Sequence, residues 1–126
     1  VSTRDDSSRF LAELSSEPGF EEIAPLHPNS RNAIGETPLQ VAAIRGDTVA
    51  IEALLDAGAE INTPGEYGHT ALHEAVGQGQ AAVVAILLAR GASITATNDD
   101  GHTPQKLAEL LELHDIARLF HGSATA

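Results

Sequence analysis

The sequence predicts an all-α solenoid, a stack of helix–turn–helix units whose tips are β-turns or short hairpins. Three observations carry this expectation. The stretches Gly35-Glu36-Thr37-Pro38-Leu39, Gly68-His69-Thr70-Ala71-Leu72 and Gly101-His102-Thr103-Pro104-Gln105 repeat their glycine and threonine at an interval of 33 residues. A fixed period of this length marks a repeat architecture. Each stretch also reads as a turn, a helix cap and a helix start in five letters. Finally, the chain is 42% hydrophobic but only 3% aromatic, with no Cys, Met or Trp. A core of Ala, Val, Ile and Leu suits closely stacked helices better than a sheet sandwich.

Residues 1–126 read as a single domain: a degenerate N-terminal cap over 1–30, repeats over 31–63 and 64–96, and a capping repeat over 97–126. In the first part, Ser7 or Ser8 is expected to cap a short helix with Phe10, Leu11 and Leu14 on one side. Pro18-Gly19 breaks the chain. A second short helix is expected from Phe20 to Ala24, ending before Pro25, with Phe20 and Ile23 facing inward. The turn-rich stretch from Pro25 to Ser30 leads into the regular units.

From there the period is explicit. Identical letters fall at Gly35/Gly68, Thr37/Thr70, Leu39/Leu72, Ala42/Ala75 and Gly46/Gly79. They continue at Leu54/Leu87, Leu55/Leu88, Gly58/Gly91, Ala59/Ala92 and Ile61/Ile94. Each has a mechanical reason. Gly35 and Gly68 permit the positive φ of a tight turn. Thr37 and Thr70 suit N-caps, and Pro38 suits the first helical position, where a missing N–H costs nothing. Leu39, Ala42 and Ala43 form an apolar face whose alanines let another helix come close. Gly46 and Gly79 end that helix. Val49, Ile51, Leu54 and Leu55 are expected to line a second helix, answered by Val83, Val84, Ile86, Leu87 and Leu88. The third unit keeps Gly101, Thr103, Pro104 and Ala108, then drifts. Glu112 replaces the inter-helix glycine, a last helix is expected around Asp115 to Phe120, and Gly122 to Ala126 reads as a frayed tail.

Charge narrows the function. With 18 acidic and 7 basic residues the formal net charge is −11. Such a field repels phosphate backbones and argues against nucleic acid, while it attracts a basic protein surface in a salt-sensitive way. No stretch reaches the ~18–20 apolar residues of a membrane span, so no membrane insertion is expected. Val1 to Asp6 carry no apolar signal core. The cytoplasm is the default compartment, with periplasm and secretion left open, and a monomer is expected.

No catalytic, metal or cofactor site stands out. His69 and His102 fall at equivalent turn positions near Glu66, Asp99 and Asp100, but as exposed turn residues they are read as surface and not as ligands. His114 and His121 lack ligand spacing. His73 is expected to hydrogen-bond back to the Thr70 region and brace its turn. No serine sits in a nucleophile-elbow context, and Gly77-Gln78-Gly79 lacks the Lys-Ser/Thr of a phosphate loop. Asn62 is expected to stabilise the turn between units through its side chain.

These letters resemble the ankyrin repeat, a unit of β-turn and two antiparallel helices with a T-P-L-H-x-A signature. The signature stands here as Thr37-Pro38-Leu39-Gln40-Val41-Ala42, Thr70-Ala71-Leu72-His73-Glu74-Ala75 and Thr103-Pro104-Gln105-Lys106-Leu107-Ala108. The unit's ending stands as Leu54-Leu55-Asp56-Ala57-Gly58-Ala59 and Leu87-Leu88-Ala89-Arg90-Gly91-Ala92. Gln40 and Lys106 replace the usual His, and Gln105 replaces the buried Leu. The resemblance implies a non-enzymatic module that binds another protein through the concave face of turn tips and first helices. Its variable positions are Arg31, Ala33, Ile34, Glu36, Ile44 and Arg45 in the first unit. They are Glu66, Tyr67, His69, Gly77 and Gln78 in the second, and Thr97, Asp99, Asp100 and His102 in the third. Tyr67, the only tyrosine, with Ile34 beside it, is the expected anchor, and an acidic rim implies a basic patch on the partner. Two alternatives are a regulatory or structural segment acting in cis within a larger protein, and a repeat that binds a small ligand or metal.

Overall fold

A computed structural model describes residues 3–17, 19, 20 and 26–125. Among them run α1 (Thr3–Leu14), α2 (Pro38–Arg45), α3 (Thr48–Asp56), α4 (Ala71–Gly77), α5 (Ala81–Ala89), α6 (Pro104–Leu110) and α7 (His114–Thr125), with a 3-10 turn at Glu66–Gly68. There is no strand among the described residues. The helices pair as α2 with α3, α4 with α5 and α6 with α7. First helices stack on first helices (α2, α4, α6) and second on second (α3, α5, α7). This is the helix–turn–helix solenoid that the period predicts.

Each first helix starts for the expected reason. Thr37, Thr70 and Thr103 are extended N-caps whose side chains accept from the backbone N–H three residues on. Pro38 and Pro104 take the first turn, where no N–H is needed. Leu39, Ala42 and Ala43 of α2, and Leu72, Ala75 and Val76 of α4, are buried in one continuous core with Ile51, Leu54, Val83, Val84 and Leu87 of the second helices. The small alanines at positions 42, 75 and 108 are fully buried, which lets the first helices approach closely.

Several details depart from expectation. Helix α1 starts at Thr3, so Ser7 is not a cap. It lies one turn before Phe10 and Leu14 on the same buried stripe, and α1 lays that stripe against α3. Phe20 is buried, as expected, beside the turn at Gly19; positions 21–25 of the expected second helix lie outside the described residues. Val49 does not line the core: it is 60% exposed, and its counterparts Ala82 and Asp115 are exposed too, so this register position faces water in every unit. The last helix is longer than the Asp115 to Phe120 expectation. No proline interrupts it, and it runs through Gly122 to Thr125, replacing the expected frayed tail.

The units are also tied by side chains. Asn62 Oδ1 accepts from the Ser93 N–H (2.8 Å), the inter-unit brace expected of it. The same brace recurs 33 residues earlier, where Asn29 Oδ1 accepts from Glu60 N–H (2.8 Å) and its Nδ2 donates to the Gly58 carbonyl (3.2 Å). The degenerate N-terminal segment has therefore kept the last element of the repeat. On the second-helix side Arg90, the C-cap of α5, reaches back to Glu52 (3.2 Å) and Asp56 (2.7 Å) of α3.

Candidate functional site

The three tips close in the same way. Residues 32, 65 and 98 each donate their N–H to the carbonyl four residues on (Glu36 2.8 Å, His69 2.8 Å, His102 3.0 Å) and accept from Gly35, Gly68 and Gly101. The outer tips are locked from inside. Asn32 Oδ1 accepts from the N–H groups of Ile34 (3.1 Å) and Glu36 (2.8 Å), and Asn98 Oδ1 from those of Asp100 and His102 (both 3.0 Å). The middle tip has Gly65 instead and no such lock. It winds into the 3-10 turn, with Tyr67 in the left-handed region (φ 57) and the Tyr67 carbonyl accepting from Asp99 N–H (2.9 Å).

Two buried side chains hold the tips from below. Thr70 N–H donates to His73 Nδ1 (3.2 Å), so the ring proton sits on Nε2, which donates to the His102 carbonyl of the next tip (2.9 Å). Gln40 does the same one unit earlier. Its Oε1 accepts from Thr37 N–H (2.9 Å), and its Nε2 donates to the carbonyls of Thr63 (2.7 Å) and His69 (3.3 Å). The glutamine thus reproduces both roles of the histidine, acceptor inward and donor across the interface. Burial, against the bond to His102 and with the neighbouring His69 ring adding to it, lowers the His73 pKa and keeps the ring neutral.

Of the expected site residues, Arg31, Ala33, Ile34, Arg45, Tyr67, Gln78, Asp99 and Asp100 are exposed. Tyr67 is the most open of the large apolar side chains among the described residues, at 68%. Glu36, Ile44, Glu66 and His102 are half-buried. His69 differs from its reading as an exposed turn residue. It is half-buried, packed edge-on between Tyr67 (6.4 Å) and His73 (5.5 Å), with Nδ1 out of contact with solvent. Arg31 and Arg45 are already engaged: Arg31 donates to the carbonyls of Gly35 (2.9 Å) and Pro64 (3.0 Å), and Arg45 pairs with Glu17 (3.1 Å).

The sequence reading passed over two features of this face. Leu110 and Leu111 are exposed at the positions that Ile44/Gly77 and Arg45/Gln78 hold in the earlier units, a correspondence the period itself supplies. Glu74 is the second. It stands on α4 where the neighbouring first helices carry Val41 and Leu107, and all three are half-buried. Burial, then the charges of Glu36 and Glu66, push its pKa from 4.5 to about 7. Among the described residues no cation pairs with Glu36, Glu66 or Glu74. No group of three or more His, Cys, Asp or Glu is placed to hold a metal ion among those residues.

A raised carboxylate makes the folded chain hold more protons than the unfolded one between about pH 4.5 and 7, so stability falls as pH rises through that window. Glu74→Gln is accordingly expected to stabilise the fold near pH 8 by about 1 kcal/mol, solvent screening included, and by almost nothing near pH 5. Urea titrations at the two pH values check this; an equal effect at both would remove the titration of Glu74 as its cause.

No helix among the described residues is long and apolar enough to cross a membrane. Curated proteins include no significant match to the chain. The family model for ankyrin repeats (3 copies) matches residues 10–98, starting within the N-terminal segment and ending at the Asn98 of the third tip. The matched span, the stacked helix pairs and the threonine-capped tips agree, and the chain belongs to the ankyrin-repeat family.

Proposed function

We propose that the chain binds another protein through the face formed by the turn tips and first helices, and that the bound segment carries Lys or Arg beside apolar side chains. Ankyrin repeats are generally protein–protein interaction modules, and the family is typically non-enzymatic. One observation carries the finer reading: the exposed Tyr67 tip stands on the same unit as Glu66 and Glu74, which share their field with Glu36 and have no internal cation among the described residues. A partner cation would relieve that repulsion and favour the ionised form of Glu74. Aromatic side chains supply much of the energy at interfaces, so Tyr67 is the anchor, with Ile34 exposed at the equivalent tip position of the first unit and Leu110-Leu111 exposed at the C-terminal end of α6.

Selection from a random peptide library against the folded chain, at low and moderate salt, tests the proposal. Enrichment of basic, partly apolar sequences whose capture weakens with salt is expected. Tyr67→Ala should weaken binding of the selected peptides by about tenfold while leaving the urea midpoint nearly unchanged. Recovery of acidic sequences, or indifference to Tyr67→Ala, would overturn the assignment of this face.

A further inference from the structure

The middle tip is built differently from its two neighbours, and the difference traces to a pair of residues 25 positions apart, Gln40 and Gly65. At the interface between the second and third units a histidine, His73, meets a tip that begins with Asn98. At the interface between the first and second units a glutamine meets a tip that begins with glycine. These two substitutions are sterically coupled. A Cβ at position 65 would overlap the Gln40 amide, and that amide cannot move aside without losing its bonds to Thr37, Thr63 and His69.

The exchange has a consequence for Tyr67. The outer tips use an asparagine side chain to gather the N–H groups two and four residues on, and neither Ile34 nor Asp100 adopts a positive φ. Without that side chain, the N–H of His69 turns to the Glu66 carbonyl (3.1 Å), the turn tightens, and Tyr67 rotates into the left-handed region. Bulky residues adopt that region only when surroundings enforce it. Here Gln40 holds the Thr63 and His69 carbonyls from one side, and Asp99 N–H holds the Tyr67 carbonyl from the other. Gly68 leaves room for the Asp99 carboxylate beside it.

We propose that Gln40 is the positioning residue of the recognition tip: from the neighbouring unit, its buried amide fills the space that an asparagine at position 65 would need, so the lock is absent and Tyr67 is set in its outward, left-handed conformation. The functional weight of this inference rests on the reading of Tyr67 as the anchor. Its structural content does not. Specificity would then be written partly in a residue that no partner touches, and the chain would recognise a different set of segments if the pair were exchanged.

The test is a cycle of Q40H, G65N and Q40H/G65N in the full chain. Tyr67 is the single tyrosine and there is no tryptophan, so the intrinsic emission of the folded protein reports this ring alone. Backbone NMR couplings and shifts at residue 67 report the sign of its φ. G65N alone is expected to lower the urea midpoint or to abolish folding. Q40H/G65N is expected to recover the midpoint, to move Tyr67 to negative φ, and to change its emission and its quenching by iodide. Two outcomes would overturn the proposal: a double variant that fails to fold or gains nothing over G65N, and a double variant that folds with Tyr67 still left-handed and its emission unchanged. The binding arm uses a basic peptide selected on the natural chain. Its affinity should fall in Q40H/G65N about as far as in Tyr67→Ala. If Tyr67→Ala binds that peptide normally, the reading of the tip as anchor fails while the spectroscopic result still decides the role of Gln40. If Tyr67→Ala binds weakly but the rotated double variant binds normally, the ring matters and its positioning by Gln40 does not.

Discussion

Leu72→Ala is expected to lower the stability of the fold by ~2–5 kcal/mol, and Leu87→Ala by a similar amount, in urea unfolding followed by far-ultraviolet circular dichroism. Leu72 is 1% exposed and Leu87 0%, and both belong to the single core that runs through all three helix pairs. Truncation removes the transfer free energy of the lost methyl groups and leaves a cavity that the flanking units cannot fill, because each is held in register by its own braces. The upper part of the range applies where the walls are rigid, and the alanine-lined approach of α2, α4 and α6 makes them so. A cost near zero at both positions would contradict the continuous core. A cost at one alone would place a break between first-helix and second-helix layers.

The second large effect concerns the bridge at His73. His73→Leu is expected to cost about 2–4 kcal/mol, since it leaves the Thr70 N–H and the His102 carbonyl without their partner in a place with little water. The informative comparison is with glutamine. Gln40 shows that glutamine can make both bonds, yet it does so against a glycine at the next tip. His73→Gln alone should therefore remain destabilised by crowding against Asn98. Asn98→Gly alone should lose the bonds to Asp100 and His102. The double variant should be more stable than the sum of the single costs predicts. Additive costs would mean that glutamine and glycine at the first interface are independent substitutions.

The period and the threonine caps of the first helices were legible in the sequence, because they are local. Thr37, Thr70 and Thr103 act on amides three residues away, and the apolar letters of α4 and α5 repeat those of α2 and α3. The brace by Asn62 was also legible; that of Asn29 could have been, since the two lie 33 residues apart. What escaped depends on neighbours in the stack. Val49 looks like a core letter until its counterparts Ala82 and Asp115 are set beside it. His69 looks like a solvent residue because glycine and threonine flank it, but the rings of Tyr67 and His73 close over its edges. The raised pKa of Glu74 comes from its burial and then from the charges of Glu36 and Glu66, none of which its neighbours in the sequence reveal. Gln40 and Gly65 look like two unrelated departures from the repeat until the interface brings them into contact.

Among the described residues the middle unit is the only helix–turn–helix unit clasped by another on both sides. Arg31 and Gln40 grip its tip from the first unit, its own His73 grips the third, and Gln80 reaches back to the Ile44 carbonyl (3.1 Å). Opening such a stack proceeds from its ends, so amides of the outer units should exchange with deuterium through small local openings, and those of α4 and α5 only through a larger one. Tyr67 is carried on that slowest part. On the proposed reading, a partner that engages Tyr67 would meet a backbone tied by hydrogen bonds to both neighbouring units, so less conformational entropy would be lost on association. Much of the affinity gained there should therefore appear as a long lifetime of the complex.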